Sequence, residues 1–261
     1  MTHYSRDKMK DVIAILIVIG VAIVISSNNN KSDVKKYVVR YFDIKGRAEA
    51  IRLCLADIDV DFEDEAFSGE EWRGGLKERW SEEGLLPFGQ VPLVERVGGG
   101  SDGSPRSMVQ SQAILRWIGR HHNIYGNHGS ANALVDLISD GTEDVRKRLM
   151  KAVYATEEKE EKMAKYFSED APLWLSYFES IAARPCKSLT KSVEDPWIAC
   201  TSIPTMADYL LYDLIDTHEE RGDRDQTRKI LKQSKHLSLW RDRMSNRENI
   251  KRYLASEKRR K

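Results

Sequence analysis

The sequence predicts a small α/β domain followed by an all-helical one, and three stretches carry that prediction. Residues 37–55 read as a strand, a glycine turn and a helix. Residues 85–119 read as a strand, a glycine-rich loop, a return strand and a second helix. From about Ser130 onward, Leu134, Ile138, Gly141, Val145, Leu149 and Ala152 recur at three- and four-residue spacings, the signature of a helix with one buried face.

Composition narrows the function classes. With 42 Lys and Arg against 41 Asp and Glu, the chain offers no electrostatic case for nucleic acid as partner. The three cysteines, Cys54, Cys186 and Cys200, contain no Cys-x-x-Cys pair. Neither a disulfide framework nor a zinc site is expected, and buried thiols in a reducing compartment are the simpler reading. The six histidines show no ligand spacing, so no metal is expected.

The first element in chain order is an unbroken apolar run, Val12 to Ile25, preceded by Arg6, Lys8 and Lys10. It is shorter than the about 20 residues of a bilayer-spanning helix and closer to a signal-peptide core. A cleaved signal, a short signal anchor, part of a plastid-type leader and a wrongly chosen start codon all fit it. Residues 1–32 are therefore set apart as a leader or anchor, with membrane association through residues 12–25 as one consequence.

The folded chain then begins near Asp33. Tyr37 to Phe42 is rich in aromatic and β-branched residues and reads as a strand. Gly46 lets the chain turn into a helix near Arg47, whose buried face is Ile51, Leu53, Cys54 and Leu55. A short strand is expected at Val60 to Glu65, then a polar connection holding Trp72, Lys77, Arg79 and Trp80. A strand through Val94 leads into the loop Gly98–Ser104, whose composition reads as mobile, and Ser107 to Gln110 reads as the return strand. Ser111 stands at the N-cap position of the next helix.

In the second half, Asp136, Asp140 and Asp144 line a face of the first helix that reads as solvated. Amphipathic residues Leu173 to Ile181 follow, then a loop from Arg184 to Asp195. Thr205 to Asp208 resembles a capping box ahead of an apolar helix, Tyr209 to Ile215. A last helix is expected over Leu237 to Leu254, with a basic, solvated end. The boundaries implied are 33–121 for the α/β domain and 129–261 for the helical one.

Two places could bind anions on residue chemistry alone. Tyr41, Gly46 and the following helix start form one; the hydroxyl and free N–H groups at Ser111 form the other. Together with Gln90-Val91-Pro92, Gln110-Ser111 with Ile114-Leu115-Arg116, Leu134-Val135-Asp136 through Asp144, and Thr205-Met-Ala-Asp208-Tyr209, they occur in one order and spacing. In these motifs the chain resembles the cytosolic glutathione transferases, most similar to the pi class with sigma as near neighbour, from about Tyr37 to Leu254.

The resemblance implies a thioredoxin-like N-terminal domain, an all-helical C-terminal domain and a homodimer. It implies an enzyme that conjugates reduced glutathione, its cosubstrate, to hydrophobic electrophiles. Glutathione's thiol, with an ordinary pKa of about 8.5, is mostly protonated near neutrality. A tyrosine ordinarily stays protonated there and can donate to the thiolate. By resemblance Tyr41 takes that role, with Arg47 adding positive potential.

The same resemblance assigns the γ-glutamyl carboxylate to Gln110 and Ser111. It assigns the cysteinyl backbone to Val91 before a cis Pro92, with Gln90 beside it, and the glycyl carboxylate to Trp72 and Lys77, with Arg79 as alternative to Lys77. Asp144 would reach the γ-glutamyl amine in the partner's site, and Phe42, Ile44 and Tyr154 would line the acceptor pocket. A glutathione-dependent prostaglandin-type isomerase and a non-catalytic or membrane-associated module of the same fold are the competing readings. The family implies a cytoplasmic location, whereas a genuine leader would imply a membrane-anchored, secretory-pathway or plastid one.

Overall fold

Four strands form a mixed sheet with the order β2-β1-β3-β4 in a computed structural model that describes residues 36–99, 103, 105–126, 129–186 and 196–260. The apolar run Val12 to Ile25 lies outside the described residues, as does most of the loop Gly98–Ser104. Among the described residues no helix is long and apolar enough to cross a membrane.

Strand β1 (Tyr37–Phe42) is central, parallel to β2 (Phe62–Phe67) and antiparallel to β3 (Leu93–Arg96). Strand β4 (Ser107–Val109) closes the far edge, antiparallel to β3. Alternation decides the face: Tyr37, Val39 and Tyr41 point into the core while Val38, Arg40 and Phe42 are half-buried. Tyr41 thus reaches the end of the strand from its inner face.

Helix α1 (Glu49–Asp57) follows β1 through a tight turn and a short 3-10 segment, Gly46–Ala48. All but one of its residues are buried, including the charged Glu49 and Arg52. The polar connection after β2 is helical rather than irregular. Ser68 and Glu71 form a reciprocal capping box, and α2 (Lys77–Glu82) follows a distorted turn at Gly74 and Gly75. Helix α3 (Ser111–His121) completes the α/β part.

The helical part is built on α4 (Gly129–Val153), followed by α5 (Lys159–Lys165), α6 (Ala171–Ala183) and α7 (Met206–Thr217). Then come α8 (Arg224–Gln233), α9 (Lys235–Ser245) and α10 (Glu248–Leu254). Helix α7 is buried over ten consecutive residues, which is why its sequence reads as apolar throughout. One hydrophobic cluster runs from Tyr37 and Ile51 through Ile118 and Val135 to Leu214 and Tyr253, so the two parts share a core.

Four expectations are corrected. The helix predicted over Leu237 to Leu254 is two helices, α9 and α10, broken at Asn246 and Arg247, where Arg247 turns to pair with Asp57 at 2.6 Å. The aspartates of α4 are not uniformly solvated: Arg116 of α3 bridges Asp136 and Asp140, each at 2.7 Å. Cys186 and Cys200 are joined in a disulfide with Cα atoms 5.3 Å apart, because the end of α6 and the turn before α7 are brought together there. Only Cys54 is a buried free thiol, and burial pushes its pKa up. Finally, the basic residues after α10 are not a free solvated end: Arg259 and Arg260 fold back onto carboxylates of α1, β2 and α7.

Candidate functional site

Two adjoining cavities meet at the end of β1, with Arg47 on the border of both. The first is a groove of about 530 Å³ lined by Phe42, Arg47, Trp72, Gly89 to Pro92, Gln110 to Gln112, Glu143 and Lys147. The second, about 270 Å³, is lined by Tyr41, Ile44, Lys45, Gly46, Arg146, Met150, Tyr154, Thr217 and Glu220, with Arg221 at its rim.

Tyr41 is nearly buried, and its hydroxyl oxygen accepts a hydrogen bond from the backbone N–H of Arg47 at 3.3 Å. Its own O–H has no acceptor among the described residues. A phenol that accepts on oxygen and keeps its proton unengaged is a donor in waiting, since the accepted bond polarises the O–H toward an incoming anion. Gly46 makes this approach feasible. It sits at φ +45°, and a Cβ there would come within 2.6 Å of Tyr41 Cε1 and 2.9 Å of its oxygen.

Arg47 contributes through both its backbone and its side chain. Its guanidinium is engaged by Glu143 through two hydrogen bonds of 3.0 Å, which raise its already high pKa against the effect of burial. The same guanidinium interacts electrostatically with Tyr41, whose oxygen the Arg47 amide also reaches.

The floor of the groove is backbone. The Val91–Pro92 peptide is cis, and Val91 stands just before β3 at the groove wall. Gln110 adopts φ +69°, an uncommon conformation for a residue with a side chain, and its amide donates to Gln90 Oε1 at 3.0 Å. Gln110, not Ser111, holds the N-cap position of α3, and Ser111 is the first helical residue. The reason is local: Gln110 takes the non-helical backbone angles, and Ser111 and Gln112, the first residues of α3, line the groove.

The remaining candidates separate. Trp72 lines the groove, stacked on Phe67 with ring centroids 5.5 Å apart. Lys77 is exposed on α2 with its chain against Gly89 at the groove's edge, whereas Arg79 pairs along its own helix with Glu83. Phe42 belongs to the groove rather than to the second cavity, because it points to the opposite face of β1 from Tyr41 and packs on Phe67 and Trp72. Ile44 and Tyr154 line the second cavity with Tyr41. Asp144 is exposed on α4 and lines neither cavity.

Gln112, Glu143 and Lys147 escaped the sequence reading. The only signal was helical spacing, since Glu143 and Lys147 are four apart on α4 and share a face.

A family model described as "Glutathione S-transferase, C-terminal domain" matches residues 143–257. The chain is 30% identical over 225 residues to Glutathione S-transferase P 1 of Xenopus laevis, covering 86% of this chain and 94% of that protein. It is 30% identical to human Glutathione S-transferase P, covering 84% and 92%. Among solved structures, the pi-class glutathione S-transferase of Onchocerca volvulus superimposes with a TM-score of 0.67 at 26% identity, covering 84% of this chain and 92% of that one.

Proposed function

Since the chain belongs to the cytosolic glutathione transferase family and is similar to its pi class, we propose that it conjugates glutathione through a thiolate held by the Tyr41 hydroxyl. It is a glutathione transferase with glutathione as cosubstrate; the tyrosine mechanism is the reading argued here. The observation that carries it is the Tyr41 O–H, unengaged among the described residues and polarised by the amide of Arg47, in a cavity that adjoins an anion-suited groove at Arg47.

In this reading the peptide lies along the groove. The backbone of Val91 pairs with its cysteinyl part in strand fashion, with Gln90 braced by Gln110 beneath. The γ-glutamyl carboxylate takes the Ser111 hydroxyl and the N-terminal N–H groups of α3. Trp72 and Lys77 receive the glycyl carboxylate, a choice supported by Lys77 lying along Gly89 while Arg79 is occupied by Glu83.

The sulfur then faces the second cavity, where Ile44, Met150 and Tyr154 offer apolar contact to an electrophile. With the thiol proton already released to solvent, attack of the thiolate forms the S–C bond as the acceptor's leaving group departs with its bonding pair (chloride from chlorodinitrobenzene), while the Tyr41 proton stays on its oxygen, donating to sulfur. Asp144, exposed on α4, would serve the other subunit's site in a homodimer. The division into 33–121 and 129–261 assigns glutathione to the first domain and most of the acceptor wall to the second.

The test is conjugation of glutathione to chlorodinitrobenzene by the full chain, with glutathione affinity measured separately by calorimetry. Turnover with saturable glutathione dependence is expected. Tight glutathione binding with no turnover of any electrophile would overturn the reading in favour of a binding protein.

A further expectation concerns Gly46. Gly46→Ala places a methyl where the Tyr41 ring now sits and forces alanine to φ +45°, so the ring or the turn must move. Conjugation should fall by about 10- to 100-fold in kcat/KM, with stability lowered by about 1–2 kcal/mol. Thermal unfolding and steady-state kinetics on the same preparation check both.

A further inference from the structure

The turn Asp43–Lys45 delivers Gly46 and the Arg47 amide to Tyr41, and each charged group on it is gripped from outside the turn. Arg260 Nη1 binds the Asp43 carboxylate at 2.9 Å, while its Nε binds Asp64 Oδ2 at 2.7 Å. The other oxygen of Asp64 accepts from Arg52 Nε at 2.9 Å. Arg52 in turn donates through Nη1 to the carbonyls of Ile44 at 3.0 Å and Lys45 at 3.2 Å. On the far side the Lys45 ammonium pairs with Glu220 and lies 3.7 Å from Asp216. Those same carboxylates are held by Arg259, at 2.5 Å to Asp216 and 3.6 Å to Glu220, and Arg259 Nε reaches the buried Glu49 at 3.3 Å.

Two consecutive arginines after α10 thus close a ring of charges around the turn. Each shares its acceptors with a residue of the turn or with Arg52, which holds the turn's carbonyls. Surface pairs of this kind taken singly contribute little, and Arg260–Asp43 is one, with Asp43 69% exposed; the other members are largely removed from solvent and shared. The side-chain exposures are 13% for Lys45, 18% for Arg259 and 25% for Arg260. The turn has little room to move without consequence, because Gly46 is already in contact with the Tyr41 ring.

We propose that Arg259 and Arg260 are positioning residues for Tyr41, clamping the Asp43–Lys45 turn so that the Arg47 amide stays on the tyrosine oxygen. The catalytic consequence rests on the tyrosine reading above; the clamp itself does not. A purely structural role would fasten the last residues to the fold without affecting the turn.

The test compares the full chain with Arg259→Gln/Arg260→Gln and with Arg259→Lys/Arg260→Lys, which keeps both charges. The first readout is amide hydrogen exchange over residues 43–48, expected to rise at least about tenfold in the glutamine variant and to be largely restored by lysine. The second is the titration of bound glutathione followed by thiolate absorbance. In the wild type its pKa should lie below the ordinary value of about 8.5 and should move back toward it in the glutamine variant. The accompanying loss in kcat is about 10-fold or more, with KM for glutathione changed by less than about threefold because the groove residues are untouched.

Unchanged exchange over 43–48 in the glutamine variant overturns the clamp. Faster exchange with an unshifted thiol pKa limits the clamp to the turn and overturns the positioning of Tyr41. Faster exchange in a protein whose wild type never lowers the thiol pKa upholds the clamp and overturns the tyrosine reading instead.

Discussion

Tyr41→Phe lowers kcat for glutathione conjugation by about 10²- to 10³-fold, the effect of removing one preorganised donor to a reacting anion. Phenylalanine keeps the ring that packs edge-on against Phe42, 5.5 Å away, and that fills the space above Gly46. The fold and the groove are therefore preserved, and glutathione affinity should change by less than about threefold, since the groove's anion contacts lie at α3 and near α2. What is lost is a hydrogen bond that stabilises thiolate relative to thiol.

The thiol of bound glutathione should then titrate near its ordinary value, about 8.5, in the variant and clearly lower in the wild type. Raising the pH should recover part of the lost rate in the variant by supplying thiolate from solution equilibrium. A variant with full activity at neutral pH would remove Tyr41 from the mechanism and leave the Arg47 amide or Ser111 as the candidate donor. An equal loss of rate and of glutathione affinity would make Tyr41 a binding residue instead.

The second large effect is on stability. Asp208 is fully buried at the start of α7, and its carboxylate accepts four hydrogen bonds. These come from the Thr205 N–H at 2.7 Å, the Thr205 hydroxyl at 2.9 Å, the Ile198 N–H at 3.3 Å and the Trp240 indole N–H at 2.8 Å. Burial raises the carboxyl pKa, and these donors oppose that shift.

Asp208→Ala leaves the four donors in the interior with no acceptor, and each unsatisfied group costs on the order of 1 kcal/mol or more. The expected loss is about 3–4 kcal/mol, near the upper end for single substitutions. For a chain of this size it corresponds to a fall in Tm of roughly 10 °C. Asp208→Asn, which keeps an acceptor oxygen, should lose about half as much, and Trp240→Phe, which removes one donor, less again. A fall of only one or two degrees for Asp208→Ala would show that water replaces the carboxylate and that the cap is not a linchpin of the helical part. Kinetics of the folded fraction should stay close to wild type, because Asp208 touches neither cavity.

Local chemistry was legible in the chain itself. The strand–turn–helix around Tyr41, the Val91-Pro92 element, the Ser111 helix start and the Thr205–Asp208 box each depend on a few adjacent residues whose backbone preferences and capping groups act at short range. The same holds for α4 and α7, whose buried faces are written in periodicity. Their order was enough to identify the family.

Long-range contacts were not legible, because pairing partners far apart in sequence leave no periodic trace. Charge on α4 could be read only as solvated until Arg116 and Arg47 were brought against it from the other part of the chain. Cys186 and Cys200 carry no spacing motif, and only the approach of α6 to the turn before α7 joins them. Helix α8 buries little, and its mostly polar sequence announced no element.

The basic residues after α10 illustrate the limit best. Sequence determined that Arg259 and Arg260 follow a helix, where a solvated end is the default. Tertiary structure alone decided that Glu49, Asp64 and Asp216, more than forty residues away in every case, would be waiting for them. Sequence thus determined the elements, their caps and the residues able to do the chemistry. The packing of those elements decided which charges are paired, which side of β1 each aromatic faces, and which distant side chains meet the Asp43–Lys45 turn. The physical reason is that backbone preference acts between neighbours, whereas burial and charge pairing act between whatever the fold brings together.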